Sequence, residues 1–448
     1  MLRSDRRHFE PADAVGYEYK VRLALLAVAG GRSPISKSSH FGYDGRKTPL
    51  MNDKTPPPPL PRNVKVLGLV SLLNDTASEM IFPLLPSFVL KVLGGDAVDL
   101  GAIEGTADSL ASLLKLWSGG WSDRVGKRKG FLLFGYSVAA LTRPLIGFVT
   151  GPWQLFGIRL TDRMGKGIRT APRDALIADS TEPALRGRAF GFHRSLDHLG
   201  AAIGPLLAMT FLWFRPDDLR LLFELSVIPG LCVVLALALL LKEVPAKDPP
   251  KARLQLTLAP FDKNFRVYLL SLLLFTLGNS SDAFLLMRAE KLGTPVLYLP
   301  LLWCLFHIVK SYTNFFLGRV VDAFRPRPMI IMGWMLYAVV YLAFAFATQA
   351  WHAWALFFGY ALFFGLTEPA EKKLVADLVG PERKGLAYGW YNFAIGIATL
   401  PASLIFGALY KYSGPLAAFG FSAVLAVLAS VVLLAVVERK PENALPTV

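Results

Sequence analysis

The sequence predicts an all-helical membrane protein, and its composition and hydropathy pattern carry that prediction. Apolar residues make up 53% of the 448-residue chain and charged residues only 18%, whereas soluble proteins carry about 25% charged residues. The mean hydropathy is +0.43. Uncharged blocks at 225–241, 329–348, 386–410 and 417–437 are close to or beyond the length of about 20 residues that a helix needs to cross a bilayer. These observations exclude a soluble enzyme.

Twelve apolar segments, spans 1 to 12, follow residue 63. They cover 64–92, 99–121, 130–149, 152–179, 187–213, 221–241, 265–287, 295–318, 328–348, 351–378, 385–411 and 414–437. An even number of spans places both ends of the chain on one side of the membrane. Basic residues concentrate in the loops of that side, for example at 124–129 and 242–253. The positive-inside rule then predicts a multi-pass protein of the cytoplasmic membrane with both termini in the cytoplasm.

The net charge of +15 does not predict a nucleic-acid partner, because the basic residues separate the apolar blocks and form no single patch. The two cysteines, Cys232 and Cys304, lie in separate apolar blocks. They form neither a disulfide framework nor a metal-ligand spacing. We therefore expect no nucleic acid, no cofactor and no resident metal.

The predicted domain order places one helical bundle on each side of a linker. Residues 1–61 form an N-terminal extension whose polar, proline-rich composition predicts disorder. An N-terminal six-helix bundle at 62–242, a cytoplasmic linker at 243–264, a C-terminal six-helix bundle at 265–440 and a tail at 441–448 follow. An alternative is that the native protein begins at Met51, which an intact-mass measurement would test.

The two halves of the chain resemble one another, which indicates an internal duplication. Asp179, Pro183, Gly187 and Gly191 recur 198 positions later as Asp377, Pro381, Gly385 and Gly389. Gly119 and Asp123 recur 199 positions later as Gly318 and Asp322. Two separate matches with nearly the same offset are typical of transporters built from repeats.

The loop after span 2 carries the most specific motif of the chain. Its predicted gating residues are Gly119, Asp123, Arg124, Gly126, Lys127 and Arg128, with Gly318 and Asp322 as their counterparts in the second half. The glycines permit a tight reversal, and the aspartate and the bases can make charge-assisted contacts. The segment resembles the G-x-x-x-D-R-x-G-R-R signature of the major facilitator superfamily, and the resemblance extends over residues 62–440.

That resemblance implies twelve helices in two six-helix bundles around a central site, and transport by alternating access. It implies that Asp123 latches the cytoplasmic ends of the two halves. We expect a weaker latch at Asp322, because Ala323-Phe324-Arg325 replaces the usual continuation of the motif. Members of the superfamily often act as monomers, and we expect the same here.

Span 5 contains a second motif, formed by Gly200, Gly204 and Pro205. It resembles the core of the G-x-x-x-G-P-x-x-G-G signature of superfamily antiporters, although Leu206-Leu207 replaces the final glycines. Small residues also allow close helix approach. An exporter and simple close packing therefore both stay open as explanations.

Charged residues inside the spans are the candidate proton and substrate sites. Asp75 and Glu79 lie one turn apart in span 1, followed by Pro83 and Pro86, which predict a bend. They are candidate proton or cation carriers, and the alternative is that they pair with bases of span 4. His193 and Asp197 in span 5 form a candidate proton relay. A zinc or iron site from Asp75, Glu79 and His193 is a further alternative.

Span 4 supplies the bases, because Arg159, Arg163, Lys166 and Arg173 form one stripe at helical spacing. Arg163, Lys166 and Arg173 are candidate partners of the span 1 carboxylates or candidate anion ligands. In the second half, Asp282 lies in a polar stretch at 279–282 that predicts a broken helix, and His307 lies in span 8. The offset between the halves further predicts an ion pair between Arg173 and Glu371.

These observations predict a secondary active transporter that moves a small solute. No nucleotide-binding motif is visible, so a proton gradient is the expected energy source. Efflux is the expected direction, because of the span 5 motif and because Asp75 and Glu79 can receive lipophilic cations. The alternatives are proton-coupled uptake of an anionic solute or metal chelate, and a membrane receptor or scaffold that transports nothing. An enzyme is not expected, since no nucleophile and base stand at a recognisable spacing.

Overall fold

The computed structural model describes residues 59–182, 185–216, 218–244, 257–323, 325–379 and 384–436. Its secondary structure over these ranges is helical, without strands. The predicted N-terminal extension, most of the predicted linker and the predicted tail lie outside the described residues. The proposed domain boundaries therefore stay predictions, and "N-terminal half" and "C-terminal half" denote here the described residues of 60–244 and of 257–436.

Each of the twelve predicted spans is helical. In the N-terminal half the main helices are Arg62–Glu79, Ala97–Val125, Lys129–Thr142, Pro152–Asp179, Arg186–Phe214, Leu219–Leu225 and Val227–Leu240. In the C-terminal half they are Lys263–Gly278, Ala283–Lys291, Leu299–Ala323, Pro326–Phe346, Ala350–Leu378 and Lys384–Leu434. The last helix runs through spans 11 and 12 and kinks at Gly414, whose φ of +83° favours glycine.

Eight helical stretches of the described chain are long and apolar enough to cross a membrane, and one of them covers spans 11 and 12 together. Spans 1, 2 and 4 are absent from this group because each carries several charged residues. The helical content therefore agrees with the prediction, whereas the number of membrane crossings stays a prediction at twelve.

Two spans lose their regular helical form at depth. The first helix of span 1 ends at Glu79, and the chain continues as a 3-10 turn over Phe82–Leu84, a short turn over Leu85–Ser87 and a π-helical turn over Phe88–Val92. Pro83 and Pro86 lie in this stretch, and proline removes a helical hydrogen bond. Span 7 is interrupted between Gly278 and Ala283, which confirms the predicted break.

One face of the molecule, termed the terminal face, contains the start of span 1. Asn63 donates hydrogen bonds to the carbonyl of Lys242 at 2.9 Å and to Ser180 Oγ at 3.2 Å. The Arg128 guanidinium lies 2.5 Å from the Asp179 carboxylate. The start of span 1 and the ends of spans 2, 4 and 6 thus share this face.

The other face, termed the opposite face, joins the two halves. Lys91 Nζ lies 2.6 Å from the Glu290 carboxylate, and Lys411 Nζ lies 2.6 Å from the Asp96 carboxylate. All hydrogen bonds and ion pairs described between the two halves lie between the level of Ser109, in the middle of span 2, and the opposite face.

Two apolar cores pack the described helices. One large core contains residues of both halves, such as Phe88 and Phe284, and extends through the C-terminal half as far as Phe261 and Val436. A smaller core, which includes Val64, Tyr136 and Leu237, belongs to the N-terminal half alone and adjoins the terminal face.

Candidate substrate site

A polar cavity of about 290 Å³ lies among spans 1 to 5 of the N-terminal half. Its lining includes seven bases, namely Lys115, Arg143, Arg163, Lys166, Arg169, Arg173 and Arg194, and three acids, namely Asp75, Glu79 and Asp197. We call it the basic cavity. It brings together six of the nine predicted proton and substrate residues: Asp75, Glu79, Arg163, Lys166, Arg173 and Asp197.

Close helix packing orients the span 4 bases towards this cavity. A side chain at Gly165 would meet the Gly135 carbonyl of span 3 at 2.6 Å, and one at Gly167 would meet Leu114 of span 2 at 2.6 Å. Because the neighbouring helices occupy those sides, the residues at helical spacing between them face the cavity. Arg163, Lys166 and Arg173 thus line one wall.

Arg159, the first member of the predicted stripe, lies apart from the basic cavity and has a packing role. Its guanidinium makes two hydrogen bonds, of 2.8 and 2.7 Å, to the carboxylate of Glu104. The Arg159 side chain is 3% exposed and the Glu104 side chain is fully buried. One residue of the stripe predicted from spacing, Arg159, is therefore engaged in a buried ion pair and does not face the basic cavity.

Arg143 and Arg169 line the basic cavity and were not among the predicted site residues. Arg143 donates to the carbonyl and to the Oδ1 of Asn74 at 3.0 and 3.1 Å, and to Asp162 at 3.0 Å. Arg169 donates to Asn74 Oδ1 at 3.3 Å and to the Gly135 carbonyl at 3.0 Å. The signal for Arg143 was present, because it is the one charge deep inside span 3.

Other bases of the cavity are only partly matched by carboxylates. The Arg163 Nε lies 3.5 Å from Asp108, and Arg173 lies 2.9 Å from its neighbour Asp174. Among the described residues, the ammonium groups of Lys115 and Lys166 make no hydrogen bond or ion pair. Two ammonium groups therefore face the cavity without a carboxylate in direct contact.

The span 1 carboxylates are likewise without a base in direct contact. Asp75 accepts a hydrogen bond of 2.9 Å from the amide of Asn74. Glu79 accepts one of 2.7 Å from Trp303 Nε1, which belongs to the C-terminal half. The alternative of direct pairing with span 4 bases is not observed.

The predicted pair between Arg173 and Glu371 is wrong for this conformation. Arg173 binds Asp174, whereas Glu371 accepts hydrogen bonds from Trp334 Nε1 at 3.2 Å and from the Tyr391 hydroxyl at 2.7 Å. The repeat offset relates equivalent positions of the two halves, and equivalence does not require contact.

His193 and Asp197 are neighbours, with 3.8 Å between His193 Nδ1 and the carboxylate. Asp197 also accepts a hydrogen bond from Ser71 and lies 3.6 Å from Arg194. His193 is buried and does not line the basic cavity. Within the described residues no group of three or more potential metal ligands is assembled, so the structure does not build the alternative metal site.

A second cavity, of about 310 Å³, lies mainly in the C-terminal half. Four acids line it, namely Asp108, Asp282, Glu368 and Glu371, together with the aromatic residues Phe82, Phe275, Tyr360, Phe363, Phe364 and Tyr391. We call it the acidic cavity. Its described lining contains no lysine or arginine.

Of the two site residues predicted in the C-terminal half, only Asp282 reaches this cavity. Asp282 follows the break in span 7 and accepts a hydrogen bond of 2.5 Å from the Tyr360 hydroxyl. His307 instead lies against the rings of Trp303 and Phe306, at centroid distances of 4.7 and 5.2 Å. The aromatic lining was not predicted, because aromatic residues are common throughout the spans.

The gating motif forms a tight turn on the terminal face. Gly126 ends the helix of span 2 with a φ of +67°, and its N–H donates to the Ser122 carbonyl. The Arg128 N–H donates to Glu243 at 2.9 Å, so the loop is tied to the end of span 6. Arg124 and Lys127 are exposed, and Gly119 packs near Ala171 of span 4.

The latch itself stays a prediction. The side chains of Asp123 and Asp322 lie outside the described part of the chain, and Gly318 lies in the helix Leu299–Ala323.

The span 5 glycines lie against span 1. A side chain at Gly200 would collide with the Leu72 carbonyl and lie 3.1 Å from Asp75 Cβ. One at Gly204 would meet the Thr76 carbonyl at 2.5 Å, and Pro205 follows inside the same helix. The motif thus brings two helix backbones together beside Asp75.

Comparisons with known proteins agree with this architecture. The family model described as Major Facilitator Superfamily matches residues 67–309 and 283–447. An uncharacterized MFS-type transporter of Methanocaldococcus jannaschii is 31% identical over 381 residues, which cover 84% of this chain and 95% of that protein. The multidrug resistance protein MdtH of Photorhabdus laumondii is 30% identical over 135 residues, covering 30% of this chain and 33% of that protein.

Among solved structures, the nucleoside transporter NupG is similar with a TM-score of 0.70. The likeness covers 83% of this chain and 97% of that one at 14% sequence identity. At 14% identity, this similarity shows a shared fold and nothing more.

Proposed function

The chain belongs to the major facilitator superfamily of transporters, and on that premise we propose that its solute is a small organic anion that moves together with a proton. Anion uptake by proton symport replaces cation efflux as the favoured activity. The observation that carries the proposal is the pair of lysines, Lys115 and Lys166, that face the basic cavity without a carboxylate in contact.

Charge explains why this cavity suits an anion. Seven bases and three acids line it, and three further acids, Asp108, Asp162 and Asp174, engage some of these bases. One positive charge remains in excess. An anionic group about 4 Å from a lysine gains about 4 kcal/mol at an effective dielectric constant of about 20. Carboxylates and phosphates are the groups that arginine and lysine bind best.

Asp75 and Glu79 are the proposed proton carriers because they line the same cavity. Asp75 shares it with Glu79 on span 1, with Lys166 and Arg173 on span 4, and with span 5 residues Arg194 and Asp197. A proton on either carboxylate removes a negative charge that competes with the anion for the bases. Binding of the proton and of the anion therefore favour each other, and this linkage is reciprocal.

A second candidate is proton-driven efflux of organic cations. The same two carboxylates can receive a cation, and the resemblance to MdtH over about a third of the chain favours this candidate. Here the proton and the cation compete for the carboxylates. The two candidates thus predict opposite pH dependences of solute affinity. As the pH falls, the affinity for an anion rises, whereas the affinity for a cation falls.

Localisation and assembly complete the proposal. We propose a monomer in the cytoplasmic membrane with both termini in the cytoplasm. The terminal face is then the cytoplasmic face.

The test is a binding measurement on the purified protein in nanodiscs over a pH series. The probes are inorganic phosphate, succinate and phenyl phosphate as anions, and tetraphenylphosphonium as the cation. We expect anion binding that strengthens at acid pH and weakens about 10-fold or more in Lys166→Gln, the loss of about 1.4 kcal/mol. The matched control is Lys127→Gln, an exposed lysine outside the cavity.

Cation binding that strengthens at alkaline pH and is lost in Asp75→Asn would instead support the efflux candidate. Flux of the bound probe into proteoliposomes separates a transporter from a receptor, because a receptor binds without flux. Anion affinity that is equal in Lys166→Gln and in the native chain would contradict the proposal.

A further inference from the structure

The basic cavity and the acidic cavity carry opposite charge. Seven bases and three acids line the first, whereas four acids and no described lysine or arginine line the second. Of those four acids, Asp108 pairs with Arg163 and Glu368 pairs with Lys310, which leaves Asp282 and Glu371 without a base in direct contact. Opposite polarity on two sides of a binding region selects a ligand with opposite charges at its two ends.

The two cavities adjoin each other. Asp108 lines the acidic cavity, and its carboxylate lies 3.5 Å from Nε of Arg163, which lines the basic cavity. The Asp108 side chain is 40% exposed, so the boundary is open at this ion pair. Phe82 of the N-terminal half also lines the acidic cavity, three residues after Glu79 of the basic cavity. One solute can therefore contact both.

The acidic cavity offers acceptors that lack a base in direct contact. Asp282 binds the Tyr360 hydroxyl, and Glu371 binds only the neutral donors Trp334 and Tyr391. The Asn279 Oδ1, on the wall of the same cavity, is buried without a hydrogen-bond partner. Ionised carboxylates and amide oxygens only accept hydrogen bonds. A group that binds to Asp282, Glu371 and Asn279 Oδ1 must therefore be a hydrogen-bond donor.

Aromatic rings make a cation the best such donor. Six aromatic residues line the acidic cavity, among them Phe363 and Phe364. An ammonium group near a ring face gains a cation–π interaction, and a buried carboxylate gains a counter-charge that a neutral hydroxyl does not supply. The ion pair between Lys310 and Glu368, 3.1 Å long, shows the same combination, because Lys310 also lies 3.4 Å from the Phe364 ring centroid.

We propose that the transported solute is zwitterionic, with its carboxylate or phosphate among the span 4 bases and its amino group between Asp282 and the rings of the acidic cavity. This inference rests on the proposed function, because it adds a cationic end to the proposed anion. It makes the C-terminal half a specificity-determining subsite.

The experiment compares matched probes by calorimetric titration of the purified protein in nanodiscs. One triad consists of 3-phenylpropionate, 2-phenylethylamine and phenylalanine. The other consists of propyl phosphate, propylamine and 3-aminopropyl phosphate. In each triad the members carry the anion alone, the amine alone and both.

In at least one triad we expect the zwitterion to bind about 10-fold or more tightly than either partner, the equivalent of about 1.4 kcal/mol. Asp282→Asn preserves the side-chain shape and should lower the ratio of zwitterion affinity to simple-anion affinity to about one. Lys166→Gln should weaken the zwitterion and the anion and leave the amine unchanged.

The outcomes separate the two proposals. Anions that bind through Lys166, with no gain from an amine and no effect of Asp282→Asn, would overturn the zwitterion and leave the proposed function standing. Amines that bind through Asp282 while anions do not bind would overturn both proposals. No binding of any probe in either triad would count against both.

Discussion

Arg159 and Arg163 stand four positions apart in span 4, yet their surroundings give them different roles. Arg159 is enclosed with Glu104, whereas Arg163 reaches the basic cavity and meets Asp108 at 3.5 Å. A buried ion pair adds little net stability compared with an apolar pair of the same shape, but removal of one partner leaves an uncompensated charge. The Arg159 pair is therefore a structural requirement that does not bind solute.

This role predicts the effect of substituting Glu104. Glu104→Ala should lower the free energy of unfolding by about 3–5 kcal/mol, because the buried Arg159 loses its bidentate partner and keeps only Asp162, which lies 3.7 Å away and is shared with Arg143. The double variant Glu104→Leu with Arg159→Met should recover most of the loss and bind anions with native affinity. Thermal unfolding in detergent and anion titration check the two parts. A double variant that folds but has lost anion affinity would show that Arg159 contacts the solute.

Six of the residues that sequence reasoning singled out line the basic cavity, but most of their partners were not predicted. The depth of Asp75 and Glu79, and the spacing of Arg163, Lys166 and Arg173, predicted residues that line one cavity. Which bases remain without a carboxylate depends on contacts between distant spans. Arg159 finds Glu104 in span 2, and no spacing within span 4 contains that information.

At the scale of elements, spans 1 and 5 pack closely against each other beside the site. Gly200 lies against the Leu72 carbonyl and Asp75 Cβ, and Gly204 lies against the Thr76 carbonyl. Small residues allow this approach, and they set the position of Asp75 in the cavity. Close packing against span 1 thus accounts for Gly200 and Gly204 of the span 5 motif.

Gly200→Ala should separate the two helices and lower stability. The added Cβ meets backbone, which cannot move aside as a side chain can, so we expect a loss of about 1–3 kcal/mol in thermal unfolding. Gly191→Ala in the same helix is the matched control, because a Cβ there meets nothing within 4 Å. It should leave stability unchanged or raise it by up to ~1 kcal/mol through helix propensity. Equal effects of the two variants would contradict the packing role.

The sequence predicted helices well and their irregular stretches only in part. Pro83 and Pro86 predicted a bend in span 1, and the polar stretch 279–282 predicted the break in span 7. The π-helical turn at Phe88–Val92 was not predicted. Phe88, at the start of this turn, packs against Phe223 of span 6 with 5.0 Å between ring centroids, and local sequence does not encode such contacts between distant spans.

At the scale of the whole molecule, the opposite face is closed in this structure. Lys91 meets Glu290 and Lys411 meets Asp96, each pair joining the two halves. Deeper in the molecule, the hydrogen bond between Glu79 and Trp303 ties the basic cavity to the C-terminal half. Alternating access requires these contacts to break when the opposite face opens.

This arrangement predicts that Glu290→Ala together with Lys411→Ala opens the opposite face. Glu290 is the buried end of the pair with Lys91 and also accepts a hydrogen bond from Ser87, so Glu290→Ala removes two contacts between the halves and Lys411→Ala removes a third. The ratio of open to closed molecules should therefore rise about 5-fold or more. Spin labels at Val92 and Tyr412, which are 42% and 75% exposed, report the separation of the halves once Cys232 and Cys304 are replaced by serine. We expect a larger population at long distance.

The control for this prediction is Arg215→Ala. Arg215 is an exposed base of the same face, and it pairs with Asp218 of its own half at 3.4 Å. Its loss changes the surface charge without releasing a contact between the halves, so the distance distribution should stay native. Lys411→Arg keeps the pair with Asp96 and should also stay closed. If Arg215→Ala opened the face as far as the double variant does, surface charge would be the cause and the cross-half pairs would not be the lock.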